Sequence, residues 1–170
     1  MKASRFFLGL GSNAGDRLTF LSKALGEIHS IANVRRVSSV YETEPVGMDP
    51  TRSFLNMAVE IETQLEPGTL LQQTQRIERK LGREPNSHMK PRTIDIDILL
   101  YDGCTVQCNE LHIPHREAHR RRFVLEPLNE IASDVVHPIS QQTIHQLLQQ
   151  CTDTASVVRT SLAINDMQST

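Results

Sequence analysis

Two aspartates, Asp95 and Asp97, stand one residue apart inside the run TIDIDILL at residues 93–100, where the intervening positions are isoleucine. In a strand, alternate side chains share a face. The two carboxylates therefore point one way, while Ile94, Ile96 and Ile98 point into the core. A rise of roughly 3.3 Å per residue puts the roots of the two side chains about 6–7 Å apart. That spacing suits hard cations such as Mg²⁺, which take a few carboxylates and complete their shells with water and substrate phosphates. Asp is depleted in strands, and like charges on one face repel. The plain alternative is a solvated outer face of an edge strand. Arg92, at the strand's entry, weighs toward phosphate chemistry, because a guanidinium forks onto phosphate through two donors.

The elements that must position these groups follow from the periodicity. RFFLGLGSN (5–13) reads as a first strand ending in a turn. From Asp16 the period changes: Leu18, Leu21, Leu25 and Ile28 make one stripe of an amphipathic helix that Asp16 starts. Residues 34–46 read as a strand running into an acidic loop broken by proline. SFLNMAVEIET (53–63) alternates cleanly, with Phe54, Asn56, Ala58, Glu60 and Glu62 on one side and Leu55, Met57, Val59 and Ile61 on the other. Residues 66–82 restore the helical period, with Pro67 in the first turn and Gly82 as the stop. Residues 83–92 read as a polar loop, and 93–103 as a strand closed by the turn signal Asp102-Gly103. Residues 110–132 read as a His- and Arg-rich loop entering a helix. The order β-α-β-β-α-β is that of a ferredoxin-like α+β sandwich, an antiparallel sheet with helices packed on it. One catalytic domain is expected over residues 1–150, with 151–170 as a mobile C-terminal tail.

The composition narrows the function classes. The chain has 170 residues, 38% hydrophobic and 22% charged, enough for one domain with a real core. A formal net charge of −2 gives no ground for a nucleic-acid or membrane partner. The 18 basic residues divide into fourteen Arg and four Lys, a bias toward flat bidentate forks for phosphate or carboxylate. Cys104, Cys108 and Cys151 are odd in number and lack a paired metal-ligand framework, so reduced thiols are the simpler reading. No apolar run is long enough for a signal peptide or a membrane span. A soluble, cytoplasmic monomer is expected.

PRTIDIDILLY (91–101), with LGLGSN near the start, TQRIE at 74–78, LGR at 81–83 and IPHREAHRRRFVLEPL at 113–128, resembles the 6-hydroxymethyl-7,8-dihydropterin pyrophosphokinase family of folate biosynthesis. The resemblance runs from about residue 5 to residue 138. It implies that the pterin's hydroxymethyl oxygen attacks the β-phosphorus of ATP, taking pyrophosphate and releasing AMP. Two Mg²⁺ ions would be held by Asp95 and Asp97, with Arg83 and Arg92 beside the phosphates. These four make up the implied catalytic set. On the nucleotide side the resemblance implies Leu71, Gln75, Glu78, Ile98 through its backbone, His112, His115 and Arg121, together with the two arginines. On the pterin side it implies Phe54 and Phe123 as the stacking pair, Asn56 on the ring edge, Thr43, Glu44 and Val46 in the adjoining loop, and Asp95.

Several of these residues have plainer readings. Arg83 suits the end of a helix as a macrodipole partner. Gln75 and Glu78 suit an ordinary polar helix face, and the two Phe suit core packing. Arg120 and Arg122 read as solvated surface charges. An Asn in a central strand is costly unless satisfied, which favours a ligand for Asn56. Asp97 is a candidate acceptor for the hydroxymethyl proton, though the sequence establishes no general base. Loop 84–90 departs from the pattern. Glu84, His88, Met89 and Lys90 stand where many members carry further arginine and a tryptophan, and Glu110 and His112 depart near the adenine. Two other classes compete. One is a binding or regulatory module on the same fold, with no role for the Asp pair. The other is a metal-dependent phosphodiesterase, which needs a basic track that this charge balance does not supply.

Overall fold

The computed structural model describes residues 2–44, 53–84 and 91–164 of the chain. Strand β1 (Ser4–Ser12) leads into a turn, and Asp16 starts helix α1 (Arg17–His29) by accepting the Thr19 N–H at 3.2 Å, a side-chain N-cap. The stripe read from the sequence is the buried one: Leu21, Leu25 and Ile28 are all within 2% of full burial, with Ala24 completing the row.

The single strand expected over 34–46 is two strands. β2 (Asn33–Val37) and β3 (Tyr41–Thr43) both pair antiparallel with β4 (Phe54–Thr63). Val37 lies across from Val59 and Tyr41 across from Asn56. The chain thus spends one residue more than β4 over the same stretch, which is a β-bulge. Ser38 secures it: its N–H donates to the Ala58 carbonyl at 2.9 Å and its Oγ accepts the Ala58 N–H at 2.8 Å.

Helix α2 (Pro67–Lys80) has Pro67 at its first position, and Gly82 follows it at φ 92°. A residue with a Cβ resists that left-handed conformation, so Gly82 ends the helix as the sequence predicts. β5 (Asp95–Tyr101) ends at Asp102 and Gly103, both at positive φ. The hairpin β6 (Val106–Gln107) and β7 (His112–Ile113) comes next, then a 3₁₀ turn at Ala118–Arg120 and helix α3 (Arg122–Ala132). Helix α4 (Ile144–Gln149) was not read from the sequence. Thr143 and Gln146 close its start reciprocally, the T-x-x-Q capping box that could have flagged it. Residues 151–164 also depart from the expected tail. Within them β8 (Val157–Arg159) pairs antiparallel with β3. Three residues are too few for a periodic signal, and only the tertiary pairing creates the strand.

The main sheet runs β5-β1-β4-β3-β8, with β2 also on β4, and every pair is antiparallel. One face packs Phe6, Leu8, Leu10, Leu55, Met57 and Ile96 against α1 and α2. The other packs Phe7, Ala58 and Leu100 against Leu125, Leu128 and Ile131 of α3 and Ile144 and Leu147 of α4. This is the ferredoxin-like α+β sandwich, extended by β2, β8 and the second pair of helices.

Candidate active site

A cavity of about 560 Å³ is floored by β1, β4 and β5 and walled by α2, the turn after β7 and the start of α3. Its floor is set by register. On β1, Gly9 lies across from Asp97 and Gly11 across from Asp95. On the other side of β1, Gly9 meets Ala58 and Gly11 meets Asn56 of β4. Alternation puts these six on one face, and Ile94, Ile96 and Ile98 lie in the core on the other. Because both β1 partners are glycine, no cross-strand side chain covers the carboxylates.

A chain of charges surrounds the pair. Arg83 donates to Asp95 Oδ1 at 2.7 Å and also to Glu78, while Arg92 donates to Asp95 Oδ2 at 3.2 Å. Glu78 Oε2 also accepts the Ile96 N–H at 3.0 Å, closing an outward-facing donor on the edge strand β5. Asn13 grips the Arg92 backbone from both sides. Its Oδ1 accepts the Arg92 N–H at 2.6 Å, and its own N–H donates to the Arg92 carbonyl at 3.0 Å.

This surrounding determines the protonation. Burial, then the Asp95 and Glu78 carboxylates, push the Asp97 carboxyl well up, against the pull of Arg83 and Arg92. Burial raises Glu78 as well. Burial pulls Arg83 down, but Asp95 and Glu78 outweigh it and hold the guanidinium above its ordinary value. A carboxylate in that position calls for a proton or a cation. Among the described residues no group of three or more His, Cys, Asp or Glu side chains is placed to hold a metal ion. A cation held by the two aspartates would draw its remaining ligands from water and substrate oxygens, which is the habit of Mg²⁺. The hard oxygen donors and the unmet charge demand at Asp97 both fit that ion.

The remaining sequence expectations sort clearly. Leu71, Gln75 and Glu78 face the cavity from α2, and Thr43, Glu44, Phe54, Asn56, His115, Arg121 and Phe123 line it too. Arg92 lies over the Phe54 ring at 5.5 Å and Arg121 over the Phe123 ring at 5.9 Å. Each aromatic thus adjoins a cation, within the range of cation–π attraction. Asn56 Nδ2 donates to Thr43 Oγ1 at 2.6 Å, which fixes the amide and leaves its oxygen toward Gly11. His115 Nδ1 accepts the Glu117 N–H at 3.2 Å. Burial, then Arg121, lower its pKa, so the ring is neutral with its proton on Nε2.

Two expected residues stand away from the cavity wall. The Ile98 side chain is in the core, and His112 on β7 contacts Arg116 through Nε2 at 2.7 Å. Val46, His88, Met89 and Lys90 lie outside the described residues. Arg120 is the surface charge expected, beside Glu117 at 2.9 Å. Arg122 is not. It donates to the carbonyl oxygens of Asp153 and Cys151, at 3.0 and 3.5 Å, and to Glu126 at 3.1 Å. The sequence reading missed Gly9, Gly11, Asn13 and Glu117. The alternate glycines ending in Ser12-Asn13 were the available signal.

Residues 7–133 match the family model described as 7,8-dihydro-6-hydroxymethylpterin-pyrophosphokinase. The chain is 47% identical over 131 residues to a Bacillus subtilis protein named 2-amino-4-hydroxy-6-hydroxymethyldihydropteridine pyrophosphokinase, covering 76% of this chain and 78% of that one. It is 36% identical to the Aquifex aeolicus protein of the same name, covering 82% and 88%. In fold it is similar to Plasmodium falciparum HPPK-DHPS A437G with STZ-DHP, at a TM-score of 0.73 and 16% identity. That match covers 87% of this chain and 45% of that one, so this chain spans less than half its length.

Proposed function

The chain belongs to the 7,8-dihydro-6-hydroxymethylpterin-pyrophosphokinase family, and on that premise we propose how its own residues perform pyrophosphoryl transfer from ATP to the hydroxymethyldihydropterin of folate biosynthesis. One observation carries the reading: the Asp95–Asp97 pair, bare of cross-strand side chains, shares a single cavity with three arginines and two aromatic rings.

Phe54 and Phe123 hold the flat pterin by its faces, and Asn56, fixed by Thr43, meets its edge with Glu44 alongside. A planar heterocycle asks for that combination of stacking and matched polar groups. Leu71, Gln75 and Glu78 hold the nucleotide from α2, and His115 and Arg121 hold it from the opposite wall. His115, neutral, donates from Nε2, and Arg121 supplies fixed positive charge. Mg²⁺, two ions on Asp95 and Asp97, supplies charge neutralisation and alignment of the phosphate oxygens.

The hydroxymethyl oxygen bonds to the β-phosphorus as the bond from that phosphorus to the α,β-bridging oxygen breaks. AMP leaves with the bridging oxygen, and the hydroxyl proton is lost to solvent. Positioning and charge stabilisation are what such a transfer needs. Arg83 and Arg92, which donate to Asp95 at the cavity wall, would supply positive charge beside the phosphates. The enzyme acts as a cytoplasmic monomer. Among the described residues no helix is long and apolar enough to cross a membrane.

The test is incubation with ATP, Mg²⁺ and 6-hydroxymethyl-7,8-dihydropterin, following nucleotide products. AMP formed only when pterin and metal are both present supports the transfer, and ADP in its place overturns it.

A further inference from the structure

Phe123 and Arg121 stand at the first turn of α3, and Thr43 and Glu44 stand at the end of β3, on opposite walls of the cavity. The segment from Cys151 to Arg159 touches both walls. At α3, Asp153 Oδ2 accepts the Arg122 N–H at 3.0 Å, and the Asp153 carbonyl accepts Arg122 Nε at 3.0 Å. Arg122 is the first residue of α3 and sits between Arg121 and Phe123. The helix's own preceding residue, Arg121, offers no capping side chain. Asp153 thus supplies from 31 positions away the acceptor that a local Ser or Asp normally gives to a helix start. Its carboxylate is itself fixed, since Oδ1 accepts the Ala155 N–H at 3.0 Å.

Beyond Asp153 the segment joins β3. The Ser156 carbonyl accepts the Glu44 N–H at 3.2 Å, and Val157 lies across from Thr43. Arg159 then returns to α3, meeting Glu130 at 3.2 Å. Glu130 also accepts from Ser39 and Tyr41. The segment is therefore fastened to both ends of α3 and to the whole of β3 between them.

We propose that Asp153 is a positioning residue for the substrate site: acting through the Arg122 backbone, it sets the first turn of α3 so that Phe123 and Arg121 face the cavity at the spacing β3 and β4 require. The proposal rests on the pterin and ATP reading of the cavity. Phe123 can stack on a ring lying on Phe54 only if α3 starts at a fixed point, and among the described residues no other side chain caps that start.

The test compares Asp153→Ala with Asp153→Asn, whose one amide oxygen can still accept the Arg122 N–H while the Ala155 bond is given up. Thr143→Ala serves as control, removing a cap from α4, none of whose residues lines the cavity. Binding of 6-hydroxymethyl-7,8-dihydropterin is read by fluorescence in the presence of a non-hydrolysable ATP analogue and Mg²⁺. Asp153→Ala weakens it about five- to tenfold, the equivalent of one lost cap, and Asp153→Asn restores it to within about twofold. Thr143→Ala lowers the melting temperature comparably and leaves binding unchanged. Unchanged pterin binding in Asp153→Ala overturns the proposal. Amide hydrogen exchange gives an answer independent of substrate. If the wild-type chain neither binds pterin nor forms AMP, the reading of the reaction fails. The role of Asp153 is then decided by whether exchange at residues 123–125 quickens in Asp153→Ala, and unchanged exchange overturns it.

Discussion

Gly11 on β1 lies directly across from Asp95 on β5, and the same glycine meets Asn56 of β4 on its other side. The position joins the carboxylate proposed to hold the metal to the amide proposed to meet the pterin edge. A Cβ built there would sit 2.6 Å from Asn56 Oδ1 and 3.5 Å from the Phe54 ring, so Asn56 would have to leave its place beside Thr43. Gly11→Ala is expected to weaken pterin binding about tenfold or more, roughly 1.4 kcal/mol, with ATP binding changed by less than about twofold. Separate titrations of the two ligands check this. An equal loss for both would mean that the floor had collapsed as a whole.

Asp97 gives the opposite balance between stability and function. Its folded-state pKa is raised by burial, Asp95 and Glu78, so the ionised form costs folding energy once the pH exceeds the unfolded value near 3.8. That cost is complete above the raised folded pKa. Asp97→Asn removes it. In the absence of divalent cation the variant is expected to unfold at higher denaturant than the wild type at pH 8–9, by at least about the 1.4 kcal/mol that one pKa unit represents. It should form no measurable AMP. A variant both inactive and less stable would show that the carboxylate carries structural bonds rather than a charge held for a cation.

The sequence makes the site's chemistry legible wherever a residue type is improbable in its place. Two aspartates in an isoleucine strand, and an asparagine near the start of the inner strand β4, announce themselves because burial penalises them. The helices α1 and α2 are legible because their apolar stripes and stop signals are local. What escapes is what has no local cost. Gly9 and Gly11 act by lacking side chains, and their alternation, a weak signal, does not say that Asp95 and Asp97 lie across from them. The bulge at Ser38 is set by the register of β4, and a strand reading of 34–46 has no means to place it. Arg122 looks like one more charge in RRR because its partners, Cys151 and Asp153, lie about thirty residues away and become neighbours only when β8 docks on β3.

Glu78 serves the sheet as well as the site. Its Oε2 takes the Ile96 N–H at the outer edge of β5 and also pairs with Arg83. Glu78→Ala leaves a buried backbone donor unmet, which costs about 1–3 kcal/mol. Glu78→Gln keeps an acceptor there and relieves the charge repulsion on Asp97. Urea unfolding is expected to rank the proteins wild type and Glu78→Gln together, with Glu78→Ala well below. Equal stability of the two variants would mean that water serves the Ile96 N–H as well as the carboxylate does.

His137 supplies a pH dependence remote from the reaction. The ring is 4% exposed, its Nδ1 accepts the Ile139 and Ser140 N–H groups at 3.3 and 3.2 Å, and the His119 ring lies 5.6 Å away. Two donors aimed at Nδ1 require the neutral ring. Burial, then His119, lower its pKa below the ordinary 6.5. A group depressed on folding contributes stability that is full above the unfolded pKa and is lost as pH falls through the folded one. The wild-type unfolding free energy should therefore drop, between pH 7.5 and 5, by more than that of His137→Asn, which cannot titrate. The difference between the two proteins isolates this residue from Asp97 and Glu78, which are common to both. Denaturant midpoints measured in parallel at half-unit pH steps check it. Parallel pH profiles would mean that the protonated ring finds another conformation at no cost.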